Sequence, residues 1–535
     1  MNTVPKTDLR RQNNWRDVFA LDLRSLAVLR ISFGLIILAD LVFRLSTLTE
    51  LYTDSGYMTR ELAAKYYQFT RGGNWWFSTW SVYWIFGEAW WYYTLFGVAA
   101  LLAVMLLLGY RTRLATLGSW VLLVSLHTAN PLTLTSGDTI LRLSLFWSIF
   151  LPLGQLWSMD ARGKPNLTEA NRDSPTNQNV VSIASVCFII QLIIMYFSTG
   201  IAKCNDVWFS GQAMEYVFRL DIYVLPMGKT LLQYPALLKF TAYVTLFAEV
   251  ILIWCLLIPW RNGIWRGIVM ATFIGFHIAI ALTLDIGLFS IICIAIWIAL
   301  TPTAFWSALS KSLKTDSAAD IRYTRARGIG NLAASVFCGL TLVYTILTNL
   351  SNFEATRVAY TVPPSLASYG HVLSLDQRFQ MFGQPPRFSP WFVYEGTMNN
   401  GKFVDPMQRP PIAQTNTSNE LHQAAQSDRS NLRSFHWRKV HRNLVYEAMT
   451  PFRAELAEYA VRKWNSENSD SEQIVHLKVY CYFESTDPQV DDSFEQSSIW
   501  GTFGIEQQKE KALETKVDSI LNQLLDEENP NGLSF

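Results

Sequence analysis

The sequence has little charge and none of the cysteine patterns that hold disulfide-rich domains or zinc sites together. Charged residues make up 16% of the 535 residues and the net charge is +1, so the overall charge gives no reason to expect nucleic acid as a partner. The six cysteines include no Cys-x-x-Cys pair, which argues against a disulfide framework and a zinc site. The sequence also lacks a glycine-rich phosphate loop and a His/Cys/Asp/Glu cluster with metal-ligand spacing. We therefore predict no metal cofactor.

Apolar residues, by contrast, are abundant. Half of the residues are hydrophobic and 20 are tryptophan, a residue enriched where membrane helices meet water. Apolar segments close to the ~20 residues that cross a bilayer recur through the first two-thirds of the chain. We predict a polytopic α-helical membrane domain, embedded in the lipid bilayer, with about nine transmembrane helices. The predicted helices are 25–46, 91–109, 114–134, 139–157, 180–201, 239–258, 264–284, 287–306 and 329–349.

The distribution of basic residues predicts how this domain is oriented. If the N-terminus is cytoplasmic, the inner segments carry more than twice as many Lys and Arg residues as the outer loops, which the positive-inside rule favours. Residues 1–20 are polar and show no cleavable signal peptide, so we predict a cytoplasmic N-terminal segment. The membrane domain then covers 21–350, and 351–535 form a soluble extracytoplasmic domain.

The C-terminal domain has the patterns of an α+β fold. Asn399-Asn400-Gly401 separates two apolar stretches and predicts a hairpin turn, since Asn and Gly tolerate positive φ. Alternating apolar residues in 474–484 predict a strand. Thr450-Pro451 predicts the start of a helix that continues to about Trp464. A last helix is predicted from apolar residues at helical spacing, Leu513, Val517, Ile520 and Leu524.

Lys203 is the first residue that points to chemistry. It follows the apolar segment 180–201 within the stretch Ser198–Gly211, so it falls where a membrane helix meets the interface. A lysine desolvated there can lose its proton near neutral pH. The alternative is a lysine whose ammonium reaches the lipid headgroups.

Other ionisable residues within predicted membrane helices are also candidates, because their burial in a bilayer is costly. Asp138 and Arg142 are four residues apart and are predicted to pair on one helix face, either for structure or for function. His277 is predicted to lie about two turns deep from the outer side, where the alternative to catalysis is a packed, hydrogen-bonded histidine. The full set is Arg30, Asp40, Arg44, Asp138, Arg142, Glu249, His277 and Asp285.

Three motifs resemble the vitamin K-dependent γ-glutamyl carboxylases and their bacterial relatives, which share the HTTM membrane domain. Thr199–Trp208 with Gly211 is similar to the carboxylase pattern around a catalytic lysine. Phe276-His277, followed by Ile286–Phe289, keeps the spacing of a second family motif. The third, Ser136-Gly137-Asp138 with Leu151-Pro152-Leu153-Gly154 and Asp160, is similar to the bacterial HTTM pattern.

The resemblance implies a mechanism and a location. In carboxylases the lysine deprotonates a vitamin K-type hydroquinone, reaction with O2 gives a strong base, and CO2 traps the carbanion formed from peptidyl glutamate. Carried onto this chain, the catalytic residues are Lys203, His277 and Asp138, and Trp208 and Phe209 contact the reduced quinone. The implied substrate is a secreted peptide or protein, and the implied location is the bacterial cytoplasmic membrane.

One departure from the family leaves the reaction open. The carboxylases have a histidine, associated with carboxylation, where this chain has Asp138. A second hypothesis is therefore a non-enzymatic or accessory membrane protein in peptide or toxin maturation or immunity, since the domain alone does not fix the activity. A transporter is a third hypothesis, but it predicts polar groups near the midplane, and those found here lie mostly towards the outer face.

Overall fold

Long apolar helices dominate the first part of the chain. The structure is a computed structural model that describes residues 15–162, 179–312, 323–324, 329–352, 362–408, 414–427, 434–490 and 495–504. Within these ranges, six helices are long and apolar enough to cross a membrane, which confirms an integral membrane protein. They are Leu23–Leu45, Ala89–Leu108, Ile183–Ala202, Pro235–Leu257, Asn262–Thr283 and Leu332–Ser351. Pro235–Leu257 consists of the α-helix Pro235–Val250 and the 3-10 turn Leu252–Leu257, and Leu332–Ser351 is part of helix Ile329–Ser351.

The remaining predicted membrane segments form shorter, less apolar or broken helices. Phe289–Ile298 and the helix that begins at Thr303 are bent by 83°, so they count as a seventh crossing only if the bent pair is one span. Segments 114–134 and 139–157 form the helices Thr112–Ala129 and Ser136–Ser148. The predicted number of nine spans is therefore not confirmed.

Short elements connect these helices. Three two-residue strands, Leu21–Asp22, Asn179–Val180 and Tyr323–Thr324, form one small sheet in that order. Three of the short helices follow Lys203 directly in the chain and shape the region around it. The short α-helices are Trp15–Val18, Leu48–Tyr52, Arg60–Arg71, Asp206–Phe209, Ala213–Phe218 and Pro226–Leu231, and the 3-10 turns are Trp75–Phe77, Val82–Ile85, Pro131–Thr133 and Met159–Ala161.

An antiparallel sheet forms the centre of the C-terminal region. Its strand order is Phe403–Val404, Phe388–Met398, Ile474–Ser485 and Glu495–Gly504. The predicted hairpin is confirmed, and its Gly401 has φ +78°, a conformation that glycine adopts without steric cost. The predicted strand is confirmed as well, with one buried face made of Leu477, Val479, Cys481 and Phe483.

Helices pack around this sheet. Pro451 lies within a 3-10 turn, Glu447–Phe452, so the predicted helix begins later than Thr450-Pro451 indicated. The last predicted helix, 513–524, lies outside the described residues. The helices of this region are Pro364–Val372, Ser418–Ser427, Phe435–Leu444 and Arg453–Glu467.

The C-terminal region packs directly on one end of the membrane helices, and one hydrophobic core runs through both. The Trp437 indole donates to the Glu50 carboxylate at 2.8 Å. Asn443 donates to the Leu132 carbonyl at 2.8 Å. Arg438 pairs with Asp285, at the end of a membrane helix. The end of the bundle that this region covers is the end that carries Lys203.

Candidate functional site

The position of Lys203 is set by how its helix ends. Helix Ile183–Ala202 ends at Lys203, which still has αR backbone angles. Asn205 then begins the next short helix, and its side chain accepts from the Trp208 backbone N–H at 3.4 Å. A Cβ on Gly200 would lie 2.9–3.0 Å from atoms of Val250 and Glu249. The glycine therefore lets the two helices approach closely beside the lysine.

Lys203 is buried against a carboxylate. Lys203 and Glu249 are 4% and 3% exposed, and Lys203 Nζ donates to Glu249 Oε2 at 2.7 Å. The ammonium also lies 5.3 Å from the centroid of the Trp208 ring, within the range of a cation–π contact. Lys203 lies just beyond the end of its membrane helix, where burial lowers the pKa of its amine and Glu249 opposes that shift.

The Lys203 ammonium has more N–H donors than the described residues accept from. A protonated lysine has three N–H donors. In the part of the chain that the structure describes, Glu249 is the hydrogen-bond partner of Lys203. Two donors of a nearly inaccessible ammonium are therefore available to a ligand, and unmet donors at a buried site are unfavourable until something accepts from them.

A loop of the C-terminal region forms the outer wall of this site. The Asn205 amide donates to the Gly383 carbonyl at 2.8 Å, and the Trp208 indole donates to the Phe382 carbonyl at 2.9 Å. A Cβ on Gly383 would lie 2.9 Å from the Ala202 Cβ, so the loop touches the end of the lysine helix. Phe382 has φ +52°, a strained conformation for a residue with a side chain.

Phe209, the second predicted quinone contact, lies on the surface of the protein rather than against this ion pair. It is 54% exposed, whereas Trp208 is 2% exposed. The neighbouring helix Pro235–Val250 presents Phe240 and Phe247 on its outer face, 62% and 52% exposed. Glu249 lies on the opposite, buried face of that helix. Only one helix thickness therefore separates the ion pair from the bilayer.

His277 lies in a second, deeper network. It is fully buried, and its Nε2 is 2.5 Å from the Tyr196 hydroxyl. The Trp297 indole donates to the same hydroxyl at 2.8 Å. Because Tyr196 precedes Lys203 by seven residues on one helix, this network lies about 10 Å deeper along the helix axis.

The second ring nitrogen of His277 is left without a partner. The Tyr196 hydroxyl accepts from the Trp297 indole, which can only donate, and shares a second hydrogen bond with His277 Nε2. The direction of that second bond depends on which ring nitrogen of His277 carries the proton. Nδ1 is buried and has no hydrogen-bond partner in the described part of the chain, so His277 carries an unused polar group.

Asp138 belongs to a third cluster, and its predicted pairing with Arg142 is wrong. Asp138 Oδ1 accepts from Arg44 at 2.5 Å, and its Oδ2 accepts from Thr135, closing the capping box of its own helix. Arg142 instead donates to Asp376 of the C-terminal region. Arg44, buried on a different helix, bonds both Asp138 and Asp40, the latter at 2.9 Å.

Histidines approach Asp138 from two directions. His127 Nε2 lies 3.4 Å from Asp138 Oδ1. The C-terminal helix Phe435–Leu444 contributes the buried His436, where burial lowers the pKa to about 3, with a further contribution from Arg44. Burial likewise lowers the pKa of Lys439 to about 8, and Asp138 acts on it in the opposite direction. The C-terminal region therefore supplies titratable groups to this cluster.

The structure thus brings together two of the five residues predicted for the site. Lys203 and Trp208 are in contact, His277 lies deeper, Asp138 lies in the Arg44 cluster, and Phe209 faces outward; their chemical roles stay predictions. Sequence reasoning noted Glu249 as a charge in an apolar segment without assigning it to Lys203. Its isolation in that segment was the available signal, since a buried carboxylate needs a partner.

Comparison with known protein families identifies the membrane domain. The model of the HTTM domain matches residues 20–305, more than half of the chain. Searches of curated proteins and of solved structures each found no match. The matched range contains the lysine helix, its Glu249 partner and His277, and it excludes the loop at Phe382. The chain therefore belongs to the HTTM family, whose domain is that of the vitamin K-dependent carboxylase-like proteins.

Proposed function

We propose that this integral membrane protein oxidises a reduced quinone of the vitamin K type with O2, and that Lys203 takes a proton from the quinol hydroxyl. The observation that carries the proposal is the buried Lys203 ammonium, with two donors unused in the described part of the chain, beside the Trp208 ring. A quinol suits such a site because its oxygens accept hydrogen bonds while its ring stacks on an indole. When bound, the quinol would supply the electrons that reduce O2.

The surroundings of the site support a lipid-soluble substrate. The helix that carries Glu249 exposes Phe240 and Phe247 on its opposite face, where lipid would contact it. The outer side is closed by the loop at Phe382 and Gly383. A substrate dissolved in the bilayer therefore has a shorter route to Lys203 than one in water.

We also propose that the N-terminus is cytoplasmic, that Lys203 and the C-terminal domain are extracytoplasmic, and that the membrane is the bacterial cytoplasmic membrane. The charge bias of the loops supports this orientation. The packing of the C-terminal region on the Lys203 end of the bundle, through Trp208 and Phe382, puts both on one side.

Carboxylation of a secreted peptide by CO2 rests on the family resemblance alone. Asp138, which replaces the carboxylase histidine, is occupied by Arg44 and Thr135. An aspartate engaged in two such bonds is held as an anion and has little capacity to move a proton. The contacts of Lys203 therefore support quinol oxidation, whereas those of Asp138 give no support to the carboxylation that follows it in the family.

The test is O2-dependent oxidation of a short-chain naphthoquinol by the purified protein, compared between wild type and Lys203→Arg. Arginine keeps the charge but does not give up its proton at usable pH, so turnover should fall to background. Lys239→Arg is the matched control, because Lys239 is an exposed lysine that packs at Gly211 in the same region; it should keep wild-type turnover. Wild-type turnover in Lys203→Arg, or none in the wild type, would refute the proposal and favour an accessory protein in peptide maturation.

A further inference from the structure

A lysine base needs an amine without its proton, yet the pair at this site favours the charged form. Glu249 Oε2 lies 2.7 Å from Lys203 Nζ, and an ion pair at that distance stabilises the ammonium. Lys203 can accept a proton from a substrate only if one of its own protons leaves. The geometry offers one direction for that proton, along the existing N–H···O hydrogen bond.

We propose that Glu249 is a positioning residue that accepts a proton from Lys203 as Lys203 takes one from the substrate hydroxyl, an inference that rests on the proposed quinol oxidation. The substrate O–H bond breaks and an N–H bond forms on Nζ. At the same time the ammonium N–H that faces Glu249 breaks and an O–H bond forms on Oε2. The products are a substrate anion, an ammonium and a neutral carboxyl group. No electrons move in this step, and O2 is the oxidant of the next.

Burial keeps the free-energy difference between the pair before and after this proton transfer small. Lys203 and Glu249 are 4% and 3% exposed, and both charges lose their hydration there. A charged pair and a neutral pair then differ far less in free energy than they would in water, because the neutral pair avoids the desolvation of two ions. The close approach of the two helices at Gly200 holds the donor and the acceptor at hydrogen-bond distance.

The charge balance after the transfer also favours the reaction. The ammonium that remains on Lys203 faces the new substrate anion, while Glu249, which would have repelled that anion, has become neutral. Within the described residues, Glu249 is the charged group that acts on Lys203. The other titratable groups of this part of the chain are Cys204, on the next residue, Asp206, three residues further on, and Tyr196, two turns deeper. Asp206 is exposed and the Lys203 ammonium bonds Glu249, so Glu249 is the carboxylate placed to take up the proton.

The test is the pH dependence of naphthoquinol oxidation by wild type, Glu249→Gln and Glu249→Asp, from about pH 6 to about pH 9. Between its two macroscopic pKa values the wild-type pair holds one proton in total, so its rate should be flat. Glu249→Gln cannot accept a proton and needs Lys203 to be neutral beforehand. Its rate should therefore rise with pH, by about tenfold per pH unit below the pKa of the amine.

Controls separate this role from a structural one. Glu249→Asp keeps a carboxylate and should restore a flat profile at a lower rate, because the shorter side chain lengthens the contact. Glu215→Gln, on the neighbouring helix Ala213–Phe218, should match the wild type. A uniform rate loss at every pH in Glu249→Gln would overturn the role of Glu249 while leaving quinol oxidation intact. Absence of wild-type turnover would instead overturn the proposed function, and this inference with it.

A second readout covers the case in which Glu249→Gln does not fold. Infrared difference spectra of the wild type, recorded as naphthoquinol is added without O2, should show a new carboxylic-acid C=O band. The band should shift in Glu249→Asp and should not form in Lys203→Arg. A bound naphthoquinol without any carboxylic-acid band would overturn the proposed transfer.

Discussion

The indole N–H of Trp208, in the membrane domain, donates to the carbonyl of Phe382, in the C-terminal region, at 2.9 Å. The Lys203 ammonium lies 5.3 Å from the centroid of the same indole ring. Trp208 therefore makes two different contacts. The N–H edge of its ring donates to the loop at Phe382, and the face of the ring contacts the Lys203 ammonium.

Removing the Trp208–Phe382 hydrogen bond alone should loosen the loop at Phe382 while an aromatic ring stays beside Lys203. Trp208→Phe keeps an aromatic ring but has no donor, so the Phe382 carbonyl loses its partner at a cost of about 1 kcal/mol. Limited proteolysis should then cut the segment around residue 382 faster than in the wild type. Trp76→Phe, at a 58% exposed tryptophan, is the control and should leave the cleavage rate unchanged. Equal cleavage in Trp208→Phe would show that the bond does not hold the loop.

The Lys203–Glu249 pair should behave as a buried ion pair in stability measurements. Lys203→Met or Glu249→Gln alone leaves one unpaired buried charge and should lower the unfolding free energy by about 3–5 kcal/mol. The double variant Lys203→Met/Glu249→Gln removes both charges and should be more stable than either single variant. Unfolding by denaturant in mixed micelles measures the three values. Additive losses would contradict the pairing.

An exposed pair serves as the comparison. Lys65 lies 3.3 Å from Glu61 and 3.4 Å from Glu455, and the three side chains are 54%, 79% and 38% exposed, so solvent screens both attractions. The variants Lys65→Met and Glu61→Gln should show no measurable change. A loss as large as that at Lys203 would mean that the assay does not distinguish buried from exposed pairs.

Acid should weaken the structure through His436. Burial lowers its pKa from 6.5 to about 3, so between these values the unfolded chain binds the proton and the folded protein does not. Stability therefore falls as pH falls through this window. The slope of the unfolding free energy against pH reports the difference in bound protons between the unfolded and folded states. His436→Gln should lower that slope by up to one proton, or about 1.4 kcal/mol per pH unit. Thermal melting at several pH values measures it, and an unchanged slope would show that His436 is protonated in the folded state.

The orientation is testable without any assay of chemistry. A reporter enzyme that works only outside the cytoplasm, fused after Phe535, should be active if the C-terminal domain is extracytoplasmic. The same reporter fused before Met1 should be silent, because the positive-inside bias keeps that end in the cytoplasm. A stably inserted C-terminal fusion without activity would reverse the orientation and put Lys203 on the cytoplasmic side.

Local patterns in the sequence predicted most of the elements that depend on local chemistry. Apolar runs located the long helices, Asn399-Asn400-Gly401 located the hairpin, and alternation in 474–484 located a strand with a buried face. The number of spans was harder to predict, because Ser136–Ser148 is apolar yet mostly buried within the protein. Hydrophobicity alone does not distinguish a helix surrounded by protein from one surrounded by lipid.

Contacts between distant segments were not predictable from the sequence. Arg142 was expected to bond Asp138, four residues away, but the fold gives Asp138 to Arg44, 94 residues earlier in the chain. Glu249 was recognised as a costly buried charge, yet only the packing at Gly200 makes it the partner of Lys203. Spacing reports neighbours on one helix. It carries no information about which other helix lies alongside.

The role of Lys203 is tested most directly by an experimental structure of the wild-type protein reconstituted in lipid with a short-chain naphthoquinone. We expect density for a bicyclic ring in contact with Trp208, with a quinone oxygen at hydrogen-bond distance from Lys203 Nζ. Lys203→Met, prepared in the same way, should lose that density. A well-resolved Lys203 with no ligand density beside it, or a quinone bound elsewhere, would contradict the claim that this lysine is the base.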